Sequence, residues 1–215
     1  MAVARPKSRA STDSTDARSL RTRESIEKAA LEAFSDSGFD AASTRNIADR
    51  AGVKQQLITY HYGSKLELWK TVTDRLFTAC HERLVKRAEG LDGVDGAIRI
   101  RLLIREFLLF SSENPALARF MMHEGARSSP RLTWIFERHT RRFFELAREG
   151  FSTAQAEGLA PPADPVHLIY ILLGATSIFS QAAEFSLLTG RAPDESEATE
   201  NYIELVLRLL LPGVD

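Results

Sequence analysis

Cysteine is almost missing from these 215 residues: one, Cys80, excludes an internal disulfide framework, so the chain fits a reducing cytoplasm. Net charge is nearly missing as well. A formal value of -1 excludes a generally basic nucleic-acid coat. The opening MAVARPKSRASTDSTDARSLRTR has no apolar core segment, so it reads as no secretory signal but as a polar, disordered basic arm over residues 1–20. Arg5, Lys7, Arg9 and Arg18 within it, with Arg21 and Arg23 just beyond, are positioned to reach phosphates or a minor groove, unless the segment is only a solvated tail. There is no internal repeat, no metal-finger spacing, no phosphate-binding glycine loop and no convincing strand. Cys80, His81, His123, Glu124 and His139 are suitable metal ligands too widely spaced to define a site, so neither metal nor cofactor is expected. Cys80 lies on an apolar helix stripe without a glycine-rich elbow or paired carboxylates, which argues for a buried thiol and against an enzyme. The most apolar run, residues 166–183, is interrupted by His167, Gln181 and several hydroxyls and barely approaches spanning length, so no membrane segment is expected.

What is present is ordinary globular material, 44% hydrophobic and 27% charged, enough for a small domain and a larger one. Charge is uneven. Residues 1–70 hold 12 Lys and Arg against 9 Asp and Glu, so the modest basic excess sits at the front. The chain is organised around residues 43–65, STRNIADRAGVKQQLITYHYGSK. A short helical pattern with Ile47, Ala48 and Ala51 inward meets Gly52, which permits a sharp turn, and a second helical run over residues 54–62 follows. In that run Leu57 and Ile58 face back, while Lys54, Gln55, Gln56, Thr59, Tyr60 and His61 form a face of donors, acceptors and aromatic edges. Such a face suits a DNA major groove, where glutamine reads base edges and lysine or tyrosine bonds phosphate oxygens. A polar solvated helix face is the plainer alternative. Ser43 caps the first of these helices, with Thr44 and Arg45 in its first turn, Arg45 toward phosphate; Ser64 caps the following long helix.

The framing sequence, AALEAFSDSGFDAAST upstream and GSKLELW downstream, together with GVKQQLITYHYGSK, resembles the amino-terminal DNA-binding domain of TetR-family transcriptional regulators over residues 21–69. The matching features are Gly38-Phe39, Ser43, Ile47-Ala48, Ala51-Gly52-Val53, Tyr60-His61-Tyr62 and Gly63-Ser64-Lys65. Lys54 and Gln56 depart from the commonest form, so no operator sequence carries over. The resemblance implies an all-α fold with a three-helix helix-turn-helix domain (residues 21–68) and a helical effector-binding and dimerisation domain (residues 69–215). It also implies a homodimeric repressor, released from a pseudo-palindromic duplex by a small organic ligand, and phosphate contact by Lys65.

The residue pattern supplies about nine helices. Those beyond the reader span residues 64–88, 97–110, a shorter one through 124, 130–157 and 166–188, and a last one uses Tyr202, Ile203, Leu205, Val206, Leu209 and Leu210. The last two are too apolar for a monomer surface, which points to pairing with their copies across a two-fold axis. Phe77, Phe107, Phe110, Met121, Met122, Phe144, Phe151 and Tyr170 are candidate contacts for a small apolar effector, each with plain core packing as its alternative. From a different class, the chain would be a ligand-sequestering or protein-interaction module whose helix-turn-helix no longer reads DNA.

Overall fold

Helices make up the regular secondary structure in the computed structural model, which describes residues 10–214 except Asp194, with side chains from Ala17 onward; no strand occurs among the described residues. They fall into two units divided between Val72 and Thr73. That division falls inside a single helix, α4 (Lys65–Glu89).

The first unit contains α1 (Ala10–Ala41), α2 (Thr44–Ala51), α3 (Gln56–Tyr62) and the start of α4 (Lys65–Glu89). α1 carries Ile26, Ala30, Ala33 and Phe34 at helical spacing, and all four are buried. It begins at Ala10. Of the arm expected over residues 1–20, residues 10–20 belong to α1, and Arg5, Lys7 and Arg9 lie outside the described residues. Gly38, at φ 73 and ψ 170, interrupts the helical geometry near the end of α1, a conformation open to glycine alone at little cost. Ile47, Ala48, Ile58, Leu68 and Trp69 complete the core of this unit. Phe34, Phe39 and Trp69 form an aromatic run, with ring centroids 5.9 and 6.2 Å apart for successive pairs.

The second unit continues α4, whose Leu76 and Cys80 are buried as the stripe requires. It adds α5 (Gly96–Glu113), α6 (Ala116–Gly125), α7 (Pro130–Ile135), α8 (Arg141–Ala156), α9 (Pro165–Ala175), α10 (Ser177–Ser180), α11 (Ala182–Thr189) and α12 (Ser196–Leu210). α5 and α12 are laced by Arg101–Glu204 at 2.7 Å and Arg105–Glu200 at 2.6 Å.

Two of the nine expected helices are subdivided. The one expected over residues 130–157 contains a π-helical turn, Phe136–Thr140, between α7 and α8. The one expected over residues 166–188 breaks at Thr176 and Gln181, and the chain bends 74° between Pro165–Ser180 and Ala182–Thr189. Thr176 returns its hydroxyl to the Leu173 carbonyl at 2.7 Å, a local bond that competes with helix continuation. No single described helix is long and apolar enough to cross a membrane, although this bent pair passes on length and composition taken together.

Candidate nucleic-acid interface

α2 is held at both ends by its own sequence. Ser43 Oγ accepts from the Asn46 N–H at 3.1 Å, and Gly52, at φ 67, closes the helix with its N–H on the Ala48 and Asp49 carbonyls. Ile47 and Ala48 anchor the inner side, leaving Arg45 exposed and Thr44 half-buried. Arg50 pairs with Asp36 of α1 at 3.2 Å.

α3 starts at Gln56, so Lys54 and Gln55 precede it and Gln55 is its N-cap. Ile58 and Tyr62 are buried and Leu57 is half-buried. Tyr62 bolts α3 to α1: its one hydroxyl proton is shared between the Arg23 carbonyl at 3.2 Å and Glu27 Oε1 at 3.0 Å. Burial, followed by the Glu27 carboxylate, pushes its pKa up to about 12. Lys54, Gln55, Gln56, Thr59 and Tyr60 all remain exposed, Tyr60 at 80%, and His61 is half-buried with its ring 5.0 Å from that of Tyr60. One bond joins the two helices on this side. Gln55 Nε2 donates to Thr44 Oγ1 at 2.8 Å.

Lys65, expected at a phosphate, has bonds within the chain. Its ammonium donates to the Phe39 and Ala42 carbonyls, both at 2.9 Å, and sits 4.3 Å from the Phe39 ring centroid. Two of its three N–H donors thus fasten the start of α4 to the segment before α2. The sequence marks Tyr62 only as part of the Tyr60-His61-Tyr62 motif, and neither its bracing role nor the Thr44–Gln55 bond is read from it; Tyr62 follows Ile58 by one helical turn, a spacing that signals its burial.

In the second unit the eight candidate effector contacts differ in burial. Phe107, Phe110 and Phe151 are buried, Phe77, Met121 and Phe144 are half-buried, and Met122 and Tyr170 are exposed at 59% and 64%. Phe107 and Phe144 each lie against Phe143, at 5.3 and 5.9 Å between centroids. None of the eight lines the cleft of about 270 Å³ bounded by Ser112, Pro115, Phe179, Ala183, Ser186 and Pro193. That cleft follows from the bend between α10 and α11, which has no sequence signal of its own.

The candidate metal ligands do not converge: among the described residues no three His, Cys, Asp or Glu side chains form a possible metal site. Glu124 is buried and paired with Arg131 at 3.1 Å. His139, in the π turn, stacks on Phe77 at 5.0 Å with its Nε2 2.9 Å from Asp74 Oδ1. Burial pushes the Cys80 thiol up to about 12, the reverse of what a nucleophile needs.

Residues 26–72 match the family model described as bacterial regulatory proteins, tetR family. The nucleoid occlusion factor SlmA of Aliivibrio fischeri (strain MJ11) is 30% identical over 145 residues, covering 65% of this chain and 71% of that protein. The chain belongs to the TetR family. A second relative, the HTH-type transcriptional repressor NicS of Pseudomonas putida, is 24% identical and matches 90% of this chain and 92% of its own length. Among solved family folds, AibR in complex with isovaleryl coenzyme A and operator DNA superposes with a TM-score of 0.70 at 19% identity, covering 89% of this chain and 98% of that one. The helix-turn-helix of this TetR-family chain is therefore α2 and α3, with α1 as its support.

Proposed function

We propose that this chain is a cytoplasmic, homodimeric transcriptional regulator that reads a pseudo-palindromic duplex through α3 and acts as a repressor released by a small apolar organic molecule. The observation that carries it is the braced, solvent-facing set Lys54, Gln55, Gln56, Thr59 and Tyr60, with Arg45 beside it, on helices whose opposite sides are core. Side chains of this kind reach base edges and phosphates only if their helices are held rigid, and Ser43, Gly52 and Tyr62 supply that hold. AibR, a structural neighbour, was captured with both operator DNA and an acyl-coenzyme A, and NicS is a repressor, which supports the ligand-relieved reading. The role is binding rather than catalysis.

The route from ligand to DNA is α4, which is common to both units. On its second-unit stretch, Asp74 and Phe77 are gripped by the π turn, through Arg138 at 2.6 Å and His139. A ligand preferring one setting of that grip shifts the separation of the two readers, and DNA affinity with it.

Binding to promoter DNA from the regulated region, followed by fluorescence anisotropy, tests the reading. Gln55→Ala and Tyr60→Ala are expected to weaken binding by about tenfold each, within the range of one good base or phosphate contact, with dimerisation unchanged. Wild-type affinity in both variants would remove these residues from the interface. Affinity should also fall steeply between low and moderate salt, since phosphate contacts release counterions; a flat response favours a ligand-sequestering module.

A further inference from the structure

We propose that Lys65 serves DNA reading as a positioning residue: its ammonium holds the approach to α2 by capping main-chain carbonyls, and not by neutralising a phosphate. This rests on the DNA-reading assignment of α2 and α3. The last carbonyls of a helix have no partner within it, and a cation placed there supplies both donors and a favourable charge. α1 has no basic residue of its own in its last turn. Lys65 reaches in from α4 instead, 2.9 Å from the Phe39 carbonyl in that turn and 2.9 Å from the Ala42 carbonyl just after it. A carbonyl only accepts and an ammonium only donates, so the direction of both bonds is fixed. Ala42 is buried, where a carbonyl bond left unmade is costly. The ammonium also lies 4.3 Å from the centroid of the Phe39 ring.

The residue after Ala42 is Ser43, whose Oγ accepts the Asn46 N–H at 3.1 Å and so begins α2. Thr44 and the exposed Arg45 follow in the first turn. One cation therefore joins the end of α1, the approach to α2 and, through its own backbone, the start of α4. Phe39 is stacked on Phe34 at 5.9 Å and edge-on to the buried Trp69 at 6.2 Å, which fixes the ring on which the ammonium sits. Removing the ammonium takes this donor from both carbonyls at the point from which α2 and, past Gly52, α3 extend.

Fluorescence anisotropy with the full chain tests this, on a duplex that wild type enriches from a random library and on a scrambled duplex, each over a series of salt concentrations. The slope of log affinity against log salt counts the phosphates neutralised, with about one unit for each. Lys65→Met is expected to lower affinity for the enriched duplex about tenfold, while the scrambled-duplex affinity and the slope stay as in wild type, since positioning matters to the specific fit alone. Lys65→Gln, neutral yet still a donor, should also keep the wild-type slope, and it carries the test if Lys65→Met does not fold. A slope lowered by about one unit in either variant makes Lys65 a phosphate contact and overturns the proposal. Unchanged affinity of Lys65→Met for the enriched duplex overturns it too, as does an equal loss on both duplexes, which marks a purely structural role. Enrichment of no sequence by wild type overturns DNA reading itself, and this proposal with it.

Discussion

His139 shows how a single residue departs from what its type suggests. As a histidine among other potential ligands it invited a metal reading, yet it packs between the Phe77 ring and the edge of Trp134, 5.4 Å away. Burial is the largest influence and lowers its pKa from the ordinary 6.5, against the opposing attraction of Asp74. The folded chain therefore favours the neutral ring, while the unfolded chain takes up a proton first as the pH falls. The stability this supplies is complete above about pH 6.5 and declines below it, toward the lower folded value. In urea unfolding at pH 7.5 and 5.5, wild type is expected to lose more stability on acidification than His139→Gln. Equal losses would mean that the imidazole titrates as it does in the unfolded chain.

At the scale of elements, two glycines lie under close neighbours with opposite outcomes. In α8 a Cβ at Gly150 would come within 2.5 Å of Ile100 Cδ1, the far end of a side chain that can rotate. At Gly213 it would come within 2.9 Å of the Leu159 Cα, which is backbone and further tied by the Gly213 N–H to the Leu159 carbonyl at 3.2 Å. Gly150→Ala is expected to be nearly neutral in chemical denaturation, because about 1 kcal/mol of helix propensity offsets the crowding. Gly213→Ala should cost about 1–3 kcal/mol through the forced backbone shift. A similar contrast separates what the sequence reveals from what it hides. The helix-turn-helix was legible because its signals act within a few residues: Ser43 capping Asn46, Gly52 supplying a left-handed close, Ile47 and Ile58 facing inward. The breaks at Thr176 and Gln181 and the π turn at Phe136–Thr140 were not, since an apolar run accommodates several backbone paths and distant packing chooses among them. Lys65 was located correctly in sequence, but carbonyls brought close only by folding occupy its ammonium.

For the whole molecule, the outward faces of α9 and α12 matter most. Val166, Tyr170 and Ile171 on α9 and Leu205 and Leu209 on α12 are 39–64% exposed, although Leu168, Ile169, Ile203 and Leu207 beside them are buried. Apolar side chains on both sides of a helix require two partners, and one chain supplies only the first. Leu205→Glu with Leu209→Glu is expected to give a monomer by light scattering, with affinity for a two-half-site duplex lowered at least about tenfold because neither reader is held near the other. A dimer of unchanged mass would place the interface elsewhere. The stitch made by Lys65 bears on how such a dimer responds to its ligand. One ammonium bridges the Phe39 and Ala42 carbonyls and Trp69 lies edge-on to Phe39, so the first turns of α4 are fastened to the segment before α2. The Ala42 carbonyl it holds belongs to the residue just before Ser43, the cap of α2, so α4 and α2 are tied to the same short stretch of chain.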